Sequence, residues 1–427
     1  MGVLTQELTR LRTSRLGKNA TWMMAGQGVS VVMQAAYFAI LARLLGAVEY
    51  GVFVGAFAFT NLAAQYSTLG SGTMFLRYVS GNRPAFAAYW GNIVLLTLVL
   101  GGAMVAVLTL AGRFVLNPAS ASLVVFAAIA NCICQQLTTE TGRVFQTFER
   151  MGITAMLNML TNVVRTLAAG AMLLVLHKAT AFEWAVASTA VSILAAVAAV
   201  ICVTATFGRP QFRPIMFPKH GWEGFGHAIA GSTCSFYNDL DKTMLSHYDM
   251  NHDNGIYTVA YRVIDIASLP IFSIRDAAMP RLFERGRTAG VTASAELAGR
   301  LRKRTVPIGL AVSLGTFLVA PVIPLIVGKG FAESVSALRW LALIPLFRSL
   351  HQMSGSAMTS AGYQRYRTAS QLGAALFNFV LNLFLIPAYG WHGAAWASLA
   401  TDGGLCVVNS LLLQVCIRHH EKMKLQN

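Results

Sequence analysis

Predominantly apolar stretches of roughly 18–25 residues recur along most of the chain, separated by short polar turns. A helix rising 1.5 Å per residue needs about that length to cross roughly 30 Å of hydrocarbon. Both faces of most stretches are apolar. A membrane-spanning β-barrel would alternate with period two instead, so the pattern predicts helices. The expected spans are 21–43, 50–72, 89–111, 120–139, 152–176, 182–205, 223–247, 255–279, 304–327, 334–354, 368–387 and 391–416. The longest inner connections are 206–222 and 280–303, too short for a soluble domain. The predicted fold class is an all-α integral membrane protein of about twelve transmembrane helices.

Composition agrees. Hydrophobic residues make up 55% and charged residues 12%, where a soluble chain carries about 25% charged. The net charge of +16 could point to nucleic acid. Its placement excludes that class, because the cations sit between apolar stretches and no basic patch interleaved with aromatics occurs. With the amino terminus inside, 23 of the 33 Lys and Arg residues fall on inner segments, 4 on outer segments and 6 within spans. That is the bias expected of cytoplasmic loops. Both termini are therefore expected in the cytoplasm. The six cysteines lie in or beside apolar stretches and read as packing residues rather than a disulfide framework.

The expected organisation is a cytoplasmic amphipathic amino terminus at 1–20, a first lobe of six spans at 21–206 and a cytoplasmic linker at 207–222. A second lobe of six spans at 223–416 and a cytoplasmic tail at 417–427 complete it. The halves share a pattern. Gly51-Val52-Phe53-Val54-Gly55-Ala56-Phe57 opens span two, and Gly255-Ile256-Tyr257-Thr258-Val259-Ala260-Tyr261 opens span eight, offset by 204 residues. Both enter from the same side, so the repeat is parallel, an arrangement of carriers that rock one lobe against the other.

Charge inside a span costs about 3 kcal/mol or more, so it marks function. Span seven carries Asn238, Asp239, Asp241 and Lys242. Asp239 and Lys242 are three apart and share a face, which suits a cation- or proton-coupled switch. A neutralised structural ion pair is the plainer alternative. Span eleven shows Gln371, Asn378 and Asn382 as a polar stripe, and span twelve adds Thr401 and Asp402. Interhelical hydrogen bonding alone would account for such a stripe. The coupling candidates are Asp239, Asp241, Lys242, Asn378, Asn382 and Asp402. Span five carries Asn158, Asn162 and Arg165; span eight carries Tyr257, Tyr261, Arg262 and Asp265; span ten carries Arg339 and Arg348. Arginine's planar fork takes phosphate oxygens in pairs. Arg77, Arg165, Arg262, Arg348, Asn158, Asn162 and Tyr261 are the substrate-binding candidates for a cationic cavity between the lobes, with snorkelling to an interface as the alternative for the arginines.

Several motifs together resemble a known family. They are Leu41 to Phe53 (LARLLGAVEYGVF), Leu69-Gly70-Ser71-Gly72-Thr73, Asn238 to Lys242, Gly255 to Arg262, Leu269-Pro270, Pro280-Arg281 and Tyr389 to Ala397. Their order and spacing resemble the polysaccharide-transporter branch of the multidrug/oligosaccharidyl-lipid/polysaccharide exporter superfamily, the O-antigen and exopolysaccharide flippases. The resemblance implies two six-helix lobes in a V, as in multidrug exporters of that superfamily. It also implies movement of undecaprenyl-pyrophosphate-linked oligosaccharide across a bacterial inner membrane, for lipopolysaccharide or exopolysaccharide. The implied partners are the lipid-linked oligosaccharide, membrane lipids and polysaccharide polymerase or export machinery. Related lipid II flippases bind a cation between spans seven, eleven and twelve, and this chain offers similar residue types there.

Other classes fit less well. An ion-coupled antiporter of small molecules shares the superfamily. A membrane-embedded polymerase would need a long external loop. The DxD of Asp239 and Asp241 lacks the soluble loop of a glycosyltransferase, and Gly70-Ser71-Gly72 follows no strand, so no phosphate loop, cofactor or metal is expected.

Overall fold

The computed structural model describes residues 15–80, 82–212, 225, 228, 232, 235–236 and 238–426. Most of the expected segment 1–20, the linker beyond 212 and much of the first part of span seven lie outside these residues. Arg10, Arg12, Arg213, Lys219, Trp222 and Cys234 go with them. All regular structure among the described residues is helical.

Helix α1 spans Arg15–Ala63 and contains one non-helical residue, Gly46, at φ 71°. It falls in the expected turn between spans one and two, where glycine takes a positive φ without steric cost. Next come α2 (Ser71–Val79), α3 (Phe86–Val115), α4 (Pro118–Thr147), α5 (Met151–Leu176) and α6 (Ala181–Phe207). A reciprocal cap between Thr180 and Glu183 starts α6. The second half supplies α7 (238–247), α8 (Asn251–Ala267) and α9 (Leu269–Val319). It ends with α10 (Ser334–Leu341), α11 (Ile344–Ser360), α12 (Gln364–Tyr389) and α13 (Trp391–Gln426).

Four expectations need correction. Span two does not run unbroken to residue 72: α1 stops at Ala63, and α2 starts after Gly70 at φ 66°. Span eight breaks at Ser268, ahead of Pro270, and span ten breaks at Ala342–Leu343, ahead of Pro345. Proline lacks an N–H and disfavours helix in the residue before it, so it starts a new helix instead of continuing one. The inner connection 280–303 is not a loop but helix, on both sides of a kink at Gly290. Its Arg, Glu, Leu and Ala residues are good helix formers despite their charge.

Among the described residues, eight helical stretches are long and apolar enough to cross a membrane. Two of them, Gly28–Val79 and Leu269–Val327, reach over more than one expected span. Absent from that set are α7, α8, α10 and α11, the helices that carry Asp239 to Lys242, Tyr257 to Asp265, Arg339 and Arg348. Many apolar side chains elsewhere face outward: Leu174, Val175 and Phe384 are each more than 70% exposed. Apolar surface on that scale belongs against lipid.

The chain divides into two compact units. One holds residues up to Leu45 together with Gly55–Ser232, and the other holds Gly46–Val54 with Thr233–Asn427. The first unit has an aromatic core in which Phe75, Phe86, Trp90, Phe145 and Val203 are buried and Phe148 stacks on Phe207 at 4.3 Å. In the second unit the shared sequence pattern acquires a physical meaning. A Cβ on Gly51 would lie 1.8 Å from the Asn251 carbonyl oxygen, and one on Gly255 would lie 2.0 Å from that of Ala47. Each glycine meets the carbonyl four residues before the other glycine. The two copies of the motif thus cross backbone to backbone, with the same contact made twice.

Candidate functional site

The second unit buries a polar cluster built from α7, α8, α11 and α13. Asp241 and Lys242 sit on the described part of α7 and are 2% and 5% exposed. Lys242 Nζ donates to Asp239 Oδ1 at 3.0 Å and to the Asn238 carbonyl. Asp241 Oδ1 accepts the Lys242 backbone N–H at 2.8 Å, and its Oδ2 accepts the Tyr257 hydroxyl. The Tyr257 hydroxyl also lies 2.9 Å from Ser398 Oγ on α13. Asn254 fastens the start of α8, donating to the carbonyls of Lys242 at 3.0 Å and Gly51 at 3.1 Å. Removing the Tyr257 hydroxyl leaves Asp241 Oδ2 without this donor. Tyr257→Phe is therefore expected to cost about 1–3 kcal/mol, read as a lower unfolding temperature in detergent.

One turn further along α8, Tyr261 meets two cations. Lys242 Nζ lies 5.2 Å from its ring centroid and Arg348 Cζ 5.6 Å. Such cation–ring contacts strengthen where water is excluded. Arg348, on α11, donates to Asp265 Oδ1 at 3.0 Å, to Ser268 Oγ at 3.3 Å and to the Tyr261 hydroxyl at 3.3 Å. The Asp265 side chain is 41% exposed while that of Arg348 is 6%. The counter-ion is thus the part of this pair that another anion could replace.

Asp402 lies on α13, buried, with Oδ1 3.2 Å from His351 Nε2. Beside it Asn382 donates to Asn378 Oδ1 at 2.8 Å, Asn378 donates to Thr401 Oγ1 at 3.2 Å, and Thr401 donates to the Ala397 carbonyl at 2.7 Å. These bonds tie α12 to α13, as polar residues do between membrane helices. Gln371 lies off this stripe and is exposed; Ser370 takes the buried position and bonds Asn409 at 2.8 Å.

The other candidates lie apart from this cluster or at its edge. In the first unit Asn162 bonds Ser30 and Arg165 bonds Ser192 Oγ at 2.9 Å. Arg165 Nε is buried without a partner among the described residues. Asn158, one turn before Asn162 on α5, is exposed, as are Arg77 on α2 and Arg262 on α8. Sequence reasoning missed His351, Ser192 and Glu140. Glu140 is buried on α4 and pairs with Arg143 at 3.0 Å. A histidine one turn from Arg348 inside an apolar stretch was the available signal for His351.

Eight helical stretches long and apolar enough to cross a membrane, with buried charges packed among the helices, describe a multi-pass membrane protein, and the fold comparisons agree. An inward-facing multidrug resistance MATE family transporter of the MOP superfamily matches with a TM-score of 0.75 at 13% identity, covering 92% of this chain and 96% of the other. An outward-facing conformation matches at 0.64 and 13% identity, over 96% and 98%. A MOP superfamily transporter from Pyrococcus furiosus, described as having a binding pocket of reverse polarity that suggests a different function, matches at 0.64 and 13%, over 95% and 96%. At these identities the likeness is one of fold. Residues 16–285 match the polysaccharide biosynthesis protein family, and the chain belongs to that family. It is also 28% identical over 178 residues to an uncharacterised membrane protein of Methanocaldococcus jannaschii, a match spanning 41% of each chain. The chain is thus a multi-pass membrane protein of the polysaccharide biosynthesis protein family, with the fold of these transporters.

Proposed function

We propose that the chain moves undecaprenyl-pyrophosphate-linked oligosaccharide from the cytoplasmic to the outer leaflet of a bacterial inner membrane, by alternating access, to supply surface or exported polysaccharide. The observation that supports this reading most is the set of cations packed among the helices: Lys242 and Arg348 in the second unit and Arg165 in the first. A pyrophosphate is the head group such cations would recognise, since guanidinium and phosphate match as planar fork and paired oxygens. Asp265, exposed where Arg348 is buried, is the carboxylate it would displace. Family membership supports a polysaccharide precursor over an unrelated anion. A polysaccharide polymerase would take the product.

Deleting the gene tests the reading. Undecaprenyl-linked oligosaccharide should accumulate on the cytoplasmic face while surface polysaccharide falls. Unchanged polysaccharide with new sensitivity to cationic drugs would make the chain a small-molecule antiporter instead.

A further inference from the structure

We propose that a groove between α12 and α13 binds one acyl chain of an anionic phospholipid, whose phosphate rests against Arg365. The groove has a volume of about 440 Å³, within the range of small-molecule sites, about 300–1,000 Å³. Phe377 of α12 and Val408 of α13 line it and are exposed, so it opens on the side where apolar side chains face outward. Two hydroxyls also line it, and both are turned to protein. Ser370 bonds Asn409 at 2.8 Å, and Thr401 bonds the Ala397 carbonyl at 2.7 Å. An occupant therefore meets hydrocarbon. The groove follows α13 from Thr401 to Leu412, about 16 Å of helix. The hydrocarbon of one leaflet is about 15 Å deep, so a single lipid tail matches that length.

Two glycines make the hole. Small residues on facing membrane helices usually let backbones approach. Gly373 and Gly404 line the groove and do not serve that end, because a Cβ added to either would have nothing within 4 Å. An unfilled space forfeits the contacts its walls would otherwise make, and in a bilayer the filler at hand is a lipid tail. Cations then select the lipid. On α12, Arg365 begins an exposed stripe that continues through Ala369, Leu372, Leu376 and Phe379. On α13, the exposed residues Val408, Leu411 and Val415 continue into Arg418 and Lys422. Steps of three and four keep each set on one helix face. Arg365 lies over the Tyr366 ring at 5.1 Å and is close enough to α13 for its charge to act on the Cys416 thiol. Among the described residues Arg365, Arg418, Lys422 and the neighbouring Glu421 form no ion pair. Three cations against one acid, beyond the end of an apolar groove, fit a lipid phosphate with its tail in the groove. A second copy of the chain would bring an apolar face but no phosphate for Arg365.

Lipid retention tests this. The full chain in detergent, stripped of bound lipid, is titrated with phosphatidylglycerol or with phosphatidylcholine, and retained lipid is counted by native mass spectrometry. One phosphatidylglycerol should be retained at a concentration about fivefold below that needed for phosphatidylcholine, the scale of one cation at an anionic headgroup. Arg365→Gln should erase that preference while both lipids still bind. Gly373→Leu combined with Gly404→Leu fills the groove and should remove the retained lipid of either kind. Gly373→Ala adds one methyl in open space, a milder change that keeps the fold, and should weaken retention of both lipids about fourfold, the scale of one lost methylene contact. No retained lipid in the wild type, wild-type retention in a folded groove variant, or an unchanged preference in Arg365→Gln overturns the proposal. So does a wild-type dimer that the groove variants split, which would make the groove an interface between copies. Tighter retention of undecaprenyl phosphate than of phosphatidylglycerol also overturns it and gives the groove to the lipid carrier. None of these readouts needs a cargo, so they stand or fall apart from the transport reading.

Discussion

Gly255→Leu should leave almost no folded protein in the membrane. The new Cβ alone would lie 2.0 Å from the Ala47 carbonyl oxygen, 2.9 Å from its carbon and 3.2 Å from its Cα. These are backbone atoms, so no rotamer change relieves them and the two helices must part. Inserting a few methylenes into a packed core costs about 1–3 kcal/mol; here the obstacle is main chain, and total stability is only about 5–15 kcal/mol. Gly51→Leu should fail in the same way, because its Cβ would lie 1.8 Å from the Asn251 carbonyl oxygen. Gly102→Ala is the control, with nothing within 4 Å of the added atom. Membrane abundance and elution as a single species in detergent are the readouts. Normal levels of Gly255→Leu would show that the two motif copies do not need this close approach.

Replacing Arg165, Arg262 and Arg348 together by glutamine should abolish polysaccharide export while the protein still inserts. A hydrogen bond to a charged group contributes about 1.5–3 kcal/mol, roughly ten- to a hundredfold in affinity at each position that meets the head group. Arg348→Gln also removes the counter-ion of Asp265, whose 41% exposure limits the destabilisation. Pairing it with Asp265→Asn separates that effect from lost binding, and the exposure of Asp265 keeps the added change mild. Surface polysaccharide and membrane abundance are measured on the same cells. Full export in the triple variant would remove the arginines from the transport path.

The spans were legible because hydrocarbon leaves a chain few options, and a buried charge in an apolar run stands out at once. Asp241, Lys242 and Arg348 were visible for that reason. Their partners were less so. Asp265 was visible as a span-eight residue, but only the rotation of α8 and α11 aims it at Arg348. His351 carries no charge signal of its own and acquires meaning only where α13 brings Asp402 to it. Ser370 and Gln371 differ by one position, about 100° around a helix, which is enough to exchange a buried partner for an exposed one. The stretch 280–303 has the polarity of a loop, but its Arg, Glu, Leu and Ala residues favour helix. The shared glycine pattern read as a trace of duplication, and its role in the crossing needed coordinates.

The direct test of the carrier reading is leaflet transfer by the purified full chain in vesicles. Undecaprenyl-pyrophosphate-linked oligosaccharide is placed on one face and its sugar is scored on the other with an impermeant reagent. Wild-type protein should move it, and the triple arginine variant, present at equal amount, should not. Equal transfer by both, or none by the wild type, would contradict a carrier that holds its substrate through these arginines.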